Sequence, residues 1–105
     1  MLYRMTTGAT IDERLGRVVA ILTRFPEVRR VILFGSRAIG DWDERSDIDL
    51  AVSAPGIDFR RWAEIAAEVD EAPTLLRIDL VWLEDAGADF AREILRTGRV
   101  VYERA

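Results

Sequence analysis

The 105-residue chain contains no cysteine, histidine, lysine, asparagine or glutamine. Without cysteine there is no disulfide framework, no thiolate nucleophile and no zinc ribbon. Without histidine there is no imidazole base and no Ser-His-Asp triad. All 15 basic residues are arginine, which excludes a Schiff-base lysine and a P-loop lysine. Chemistry is left to carboxylates, hydroxyls, guanidinium groups, backbone amides and a bound metal. Codon usage in a GC-rich genome and selection against heat-labile side chains both account for the missing residue types, and neither bears on function. Long apolar runs are also missing, so no segment is expected to span a membrane. The first ten residues lack the apolar stretch of a signal peptide, which makes the cytoplasm the expected location. With 19 acidic residues and a net charge of −4, direct nucleic-acid binding is not expected, since such proteins are basic.

What is present is an ordinary globular composition, 50% hydrophobic and 32% charged. The length suits one domain over residues 1–105, with an ordered core over about 10–103. Thr10-Ile11-Asp12-Glu13 reads as a capping box, followed by Ile11, Leu15, Val18, Val19 and Leu22 at helical spacing; Pro26 stops this helix. Val31-Ile32-Leu33-Phe34 reads as a strand buried on both faces, closed by Gly35-Ser36, with a short helical turn over 37–39 and a polar loop over 40–45. Residues 47–52 alternate polar and apolar, the mark of a strand with two different faces. Asp58 is expected to cap a helix through about Val69. Residues 76–83 form a third strand, Asp85 caps a last helix ending at Gly98, and residues 99–103 form a final strand. Helices and strands alternate, which predicts one α/β layer architecture. Trp62 and Trp82 are core candidates, Arg29-Arg30 and Arg60-Arg61 read as solvated element starts, and Trp42 sits in a loop.

Three acids occupy strand positions. Asp47 and Asp49 lie two apart, so both carboxylates project from one face, roughly 7 Å apart along the chain, while Ile48, Leu50 and Val52 face the core. Asp79 stands between Ile78 and Leu80 in an otherwise apolar strand. A carboxylate among aliphatics is costly unless a cation offsets it. Either arginine supplies that cation, with Arg37, Arg45 and Arg77 as candidates, or a divalent metal does. Three acids together favour the metal, and oxygen-only ligands suit Mg²⁺ or Mn²⁺.

Gly35-Ser36 follows a buried strand and opens a helical turn. Glycine lets a ligand approach the backbone, the turn offers free amides to phosphate, Ser36 adds a donor and Arg37 a cation. Gly-Ser, ten residues, then Asp-x-Asp arises by chance in roughly one chain of this size per thousand.

Gly35-Ser36-Arg37-Ala38-Ile39-Gly40 followed by Ser46-Asp47-Ile48-Asp49-Leu50-Ala51-Val52 resembles the minimal nucleotidyltransferase (MNT) family of the DNA polymerase beta-like superfamily. Asp79 matches its third acid, and the tail from Ile94 to Glu103 is similar to the end of such short proteins. Ile39 stands where many relatives carry a basic residue. The resemblance implies a mixed β-sheet flanked by helices. It also implies Mg²⁺ ligated by Asp47, Asp49 and Asp79, ATP phosphates at Gly35, Ser36 and Arg37, and Asp79 orienting or deprotonating an acceptor hydroxyl. A chain this short builds little beyond a nucleotide site, so the acceptor or its binding surface belongs to a partner. Short MNT proteins resemble antitoxins that move AMP from ATP to a tyrosine of a HEPN-domain toxin. Two alternatives stand beside that expectation. One is the catalytic subunit of a two-chain transferase acting on a small hydroxylated molecule. The other is a non-catalytic antitoxin that works by occlusion.

Overall fold

Leu15, Val18, Val19 and Leu22, the expected apolar stripe, are the buried residues of the first helix, α1 (Glu13–Leu22). The computed structural model describes residues 13–35, 47–72 and 77–104. Thr10, Ile11, Ser36, Arg37, the 37–39 turn, the 40–45 loop with Trp42, Pro73 and Leu76 therefore lie outside the described residues. After α1 come β1 (Arg30–Phe34), β2 (Ile48–Ser53), α2 (Phe59–Asp70), β3 (Ile78–Trp82), α3 (Ala88–Thr97) and β4 (Arg99–Glu103). The four strands form one mixed sheet in the order β3-β2-β1-β4. β1 runs antiparallel to β2 and β4, whereas β2 and β3 are parallel. Parallel neighbours need a long crossover, and α2 supplies it.

Side-chain alternation sends each strand's residues to two packed layers. On one face Val31 and Leu33 of β1, Ile48, Leu50 and Val52 of β2, and Tyr102 of β4 pack under α1 and α2 through Leu15, Val19, Ile65 and Val69. On the other face Ile32 and Ala51 meet Ile94 of α3 and Leu83. β1 is thus buried on both faces, as its continuous apolar run requires. β2 differs from expectation in its second half. Ala51, on the face read as polar, is buried, as is Ser53 just beyond the expected strand, because α3 and the turn at Leu83 cover that side. Among the described residues, Asp49 at the other end of this face is only partly buried.

Asp58 caps α2 as expected, its Oδ1 accepting from the Arg61 backbone N–H at 2.8 Å. Asp85 does not cap α3. It belongs to a 3-10 turn over Leu83–Asp85, and α3 starts instead after Gly87 at φ 84°, with no side-chain cap. The reason is a long-range anchor. Glu84 accepts from Ser53 Oγ at 2.6 Å and from the Ala54 backbone N–H at 2.8 Å, which pins the turn to the end of β2. Gly98 closes α3. A Cβ there would stand 2.5 Å from both Ile32 Cγ2 and the Ile94 carbonyl.

Arg61 is not a solvated element start. Its guanidinium donates to Glu27 at 2.6 Å and to Glu64 at 2.9 Å, and lies 5.0 Å from the centre of the Phe25 ring. Those partners hold its pKa above the ordinary arginine value and hold the Glu27 carboxyl below the ordinary carboxylate range. Trp62 and Trp82 stack at 5.8 Å between α2 and β3, partly buried rather than fully in the core.

Candidate active site

Three strand ends meet at one end of the sheet: the C-terminus of β1 and the N-termini of β2 and β3. The pairing register places Asp49 between Phe34 on one side and Asp79 on the other. Paired residues on adjacent strands share a face and stand about 5 Å apart. The two acids expected to cooperate across thirty residues are thus immediate neighbours. Both project to the α3 face, opposite Ile48, Leu50, Ile78 and Leu80. Asp47 stands one residue before β2 and is exposed.

The electrostatics follow from that pairing. Burial pushes the Asp49 carboxyl above the ordinary aspartate pKa. The charge of Asp79, a hydrogen bond to Asp79 and the charge of Asp47 push it the same way, and Arg77 opposes them. Among the described residues, Arg77 is the one cation that opposes this negative charge. Arg77 reaches Asp79 Oδ1 through Nε at 3.1 Å, so the arginine reading and the metal reading of Asp79 are compatible. Both partners are substantially exposed, 74% and 40%, and an exposed ion pair of this kind is weak and easily exchanged for a stronger cation. Arg37 and Arg45, the other candidates, lie outside the described residues.

Gly35 ends β1 beside this pair. Its φ of +74° lies in the left-handed region, and a Cβ at this position would collide with Asp49 Oδ2. The glycine therefore serves two purposes: it turns the chain where other residues are strained, and it leaves space against the carboxylate. Ser36 and Arg37 follow directly and lie outside the described residues.

The donor set fits a hard divalent cation. Among the described residues it is built of carboxylate oxygens alone, two of them neighbours in the strand register. Among the described residues no three acids are gathered into a metal-holding cluster. Asp49 and Asp79 form a pair, with Asp47 acting on Asp49 through its charge. Mg²⁺ is ordinarily held through one or two carboxylates completed by waters and substrate phosphates, so a pair suffices. Residues that sequence reasoning passed over also border the site. Phe34 lies beside Asp49 in the register and makes an edge-to-face contact with Phe90 at 5.9 Å. No local pattern marks that contact, since Phe90 comes from a helix 56 positions later.

A mixed four-stranded sheet with an acid pair at one end and a glycine turn beside it fits a nucleotidyltransferase. The chain belongs to the family described as Polymerase beta, Nucleotidyltransferase, whose model matches residues 17–105. It is similar to the protein adenylyltransferase MntA of Aphanizomenon flos-aquae, at 31% identity over 106 residues covering 90% of this chain and 69% of that protein. A crystal structure of a toxin-antitoxin with AMP-PNP superposes with a TM-score of 0.69 at 26% identity, covering 85% of this chain and 73% of the other. The fold is shared with the complex of a tri-AMPylated Shewanella oneidensis HEPN toxin and MNT antitoxin, at a TM-score of 0.65 and 23% identity over 88% of this chain and 71% of the other. No helix among the described residues is long and apolar enough to cross a membrane.

Proposed function

We propose that this chain is a Mg²⁺-dependent adenylyltransferase that moves AMP from ATP to a tyrosine hydroxyl of a HEPN-domain toxin and so acts as its antitoxin. The observation that carries the reading is the register pair Asp49–Asp79 with Gly35 against it, supported by the likeness to MntA and to the toxin-antitoxin complexes. Asp49 and Asp79, with Asp47 beside them, would hold Mg²⁺. When bound, the ion neutralises the triphosphate and favours departure of pyrophosphate.

The chain's own residues supply the rest. Gly35 leaves the backbone open to phosphate at the end of β1, and Ser36 and Arg37, next in sequence, would supply a hydroxyl donor and a fixed cation. Asp49, on an interior strand, carries the burial cost and sets the position of the negative charge. Asp79, on the outermost strand and 40% exposed, accepts the proton of the incoming hydroxyl. The acceptor oxygen bonds to the α-phosphorus, the bond from that phosphorus to the bridging oxygen of pyrophosphate breaks, and the proton ends on Asp79. Each transfer places a phosphodiester charge on the tyrosine, which repels RNA at a nearby nuclease site.

The test is the intact mass of a HEPN-domain toxin, the cognate partner on this reading, before and after incubation with the chain, ATP and Mg²⁺. One or more AMP increments are expected with the wild type and none with Asp49→Asn. A toxin silenced without added mass, equally by both proteins, would establish occlusion and overturn the reading.

A further inference from the structure

Arg77 stands one residue before β3 and is tied to the acid centre by its backbone and by its side chain. Its carbonyl accepts from the Ile48 backbone N–H at 2.9 Å, which extends the parallel pairing of β2 and β3 by one step and sets Arg77 opposite Asp47 in the register. Its Nε donates to Asp79 Oδ1 at 3.1 Å. Residues two apart on an extended strand share a face, so the guanidinium lies on the same side of the sheet as Asp79 and Asp49. The root of this side chain is fixed, whereas its head is 74% exposed.

The chemistry of that head is not used up. A guanidinium presents its N–H donors in a planar fork, and the bond to Asp79 engages Nε. The terminal nitrogens, which match two oxygens of one phosphate, have no hydrogen-bond partner among the described residues.

Exchange follows from charge. An exposed ion pair such as Arg77–Asp79 is weak. A divalent cation at the Asp49–Asp79 pair offers Asp79 the stronger charge and repels the guanidinium beside it. Arg77 then needs another anion within reach of its fixed root. The acceptor hydroxyl is neutral, and the nucleotide's phosphates are the anions that arrive with the metal. Gly35, at the end of β1, and β3 are two strand spacings apart, about 10 Å, with Asp49 between them. A phosphate over the acid pair is therefore within reach of an arginine rooted at the start of β3. Release also clears Asp79 Oδ1 of a competing donor.

We propose that Arg77 is a partner-exchanging cation: it pairs with Asp79 before metal binds, gives that carboxylate up to the divalent cation, and then binds the phosphates of the nucleotide. This rests on the adenylyltransferase reading above. It adds a phosphate-binding residue on the β3 side of the centre, across the acid pair from the glycine turn.

The experiment compares wild type, Arg77→Met, Arg77→Lys, Arg92→Met and Asp49→Asn. Affinity for Mg²⁺ alone is read from the rise in melting temperature across a Mg²⁺ titration, and affinity for ATP at saturating Mg²⁺ by calorimetry. Arg77→Met should bind Mg²⁺ more tightly, by about two- to fivefold, the worth of an exposed ion pair that no longer has to be broken. The same variant should bind ATP more weakly, by about tenfold or more, through loss of a charge-assisted fork to phosphate. Arg77→Lys keeps the charge without the fork, so it should bind Mg²⁺ like wild type and ATP more weakly than wild type. Arg92→Met removes the same charge from α3, where Arg92 pairs with Asp89 in the open, and should change neither affinity. A merely structural Arg77 moves both affinities the same way, so opposite signs in Arg77→Met are the mark of exchange. Mg²⁺ affinity unchanged or weakened in Arg77→Met overturns the proposal. Tighter Mg²⁺ binding with unchanged ATP affinity also overturns it, since the freed guanidinium then goes to Asp47 or to water. Either result, together with wild-type Mg²⁺ binding that Asp49→Asn abolishes, leaves the adenylyltransferase reading standing. Failure of the wild type to bind Mg²⁺ and ATP would overturn both.

Discussion

Replacing Gly35 with alanine separates the backbone demand of the glycine turn from its contact with the acid pair. The backbone φ of +74° lies where a Cβ meets its own carbonyl, at a cost of about 1–2 kcal/mol. The new methyl also collides with Asp49 Oδ2. A carboxylate can rotate away from it, so the second effect falls more on the site than on the fold. In a domain of this size 1 kcal/mol shifts the melting midpoint by about 4–8 °C, so Gly35→Ala should melt about 5–15 °C lower. AMP transfer should fall by at least about a hundredfold, since a displaced carboxylate no longer stands where the phosphates need it. The decisive measurement is a double-mutant cycle with Asp49→Ala, by denaturant unfolding at pH 7. Removing the carboxylate removes the collision but leaves the φ cost. Gly35→Ala should therefore be milder in the Asp49→Ala background, by about 0.5 kcal/mol or more. If the two substitutions add within about 0.3 kcal/mol, or if Gly35→Ala costs nothing alone, the close approach of Gly35 to Asp49 does not exist as described.

Asp49→Asn should stabilise the ligand-free protein at neutral pH. The folded-state pKa of Asp49 is raised by burial and by Asp79, so the folded chain holds its proton more tightly than the unfolded chain. Wild-type stability therefore falls as pH climbs from about 4 through the raised value, and the asparagine variant escapes that loss. Melting curves of the two proteins should diverge on going from pH 4 to 7, with the variant higher. Glu84→Ala should cost about 1–3 kcal/mol, because it strips the buried Ser53 hydroxyl and the Ala54 N–H of their acceptor; circular-dichroism unfolding checks this. Millimolar Mg²⁺ with ATP should raise the melting temperature of the wild type by linkage and leave that of Asp49→Asn nearly unmoved; an unchanged wild-type curve counts against the metal site.

Local signals carried the sheet interior and the acid positions. Val31 to Phe34 announces burial on both faces, and the spacing of Asp47 and Asp49 places their carboxylates on one side. The direct pairing of Asp49 with Asp79 needed the motif as well, because register between strands thirty residues apart is a tertiary fact. Asp85 had the chemistry of a cap, but Glu84 bonds to β2 and commits the segment to a tight turn first. Arg61 had the look of a solvated cation because Glu27, its partner, comes from a different element. The place of Asp79 on an outer strand was not legible at all. It depends on β3 lying outermost, and no stretch of residues encodes strand order.

The two neighbouring acids sit on strands of unequal freedom. β2 is hydrogen-bonded on both flanks, so a mutation that shifts Asp49 must also shift β1 and β3. β3 has a strand partner on one flank alone among the described residues, and side chains along the other can change without unzipping the sheet. The Asp49 half of the acid pair is therefore constrained from both sides, whereas the margin beside Asp79 tolerates change. On the proposed adenylyltransferase reading, a change of acceptor is accommodated by remodelling a rim rather than rebuilding a core.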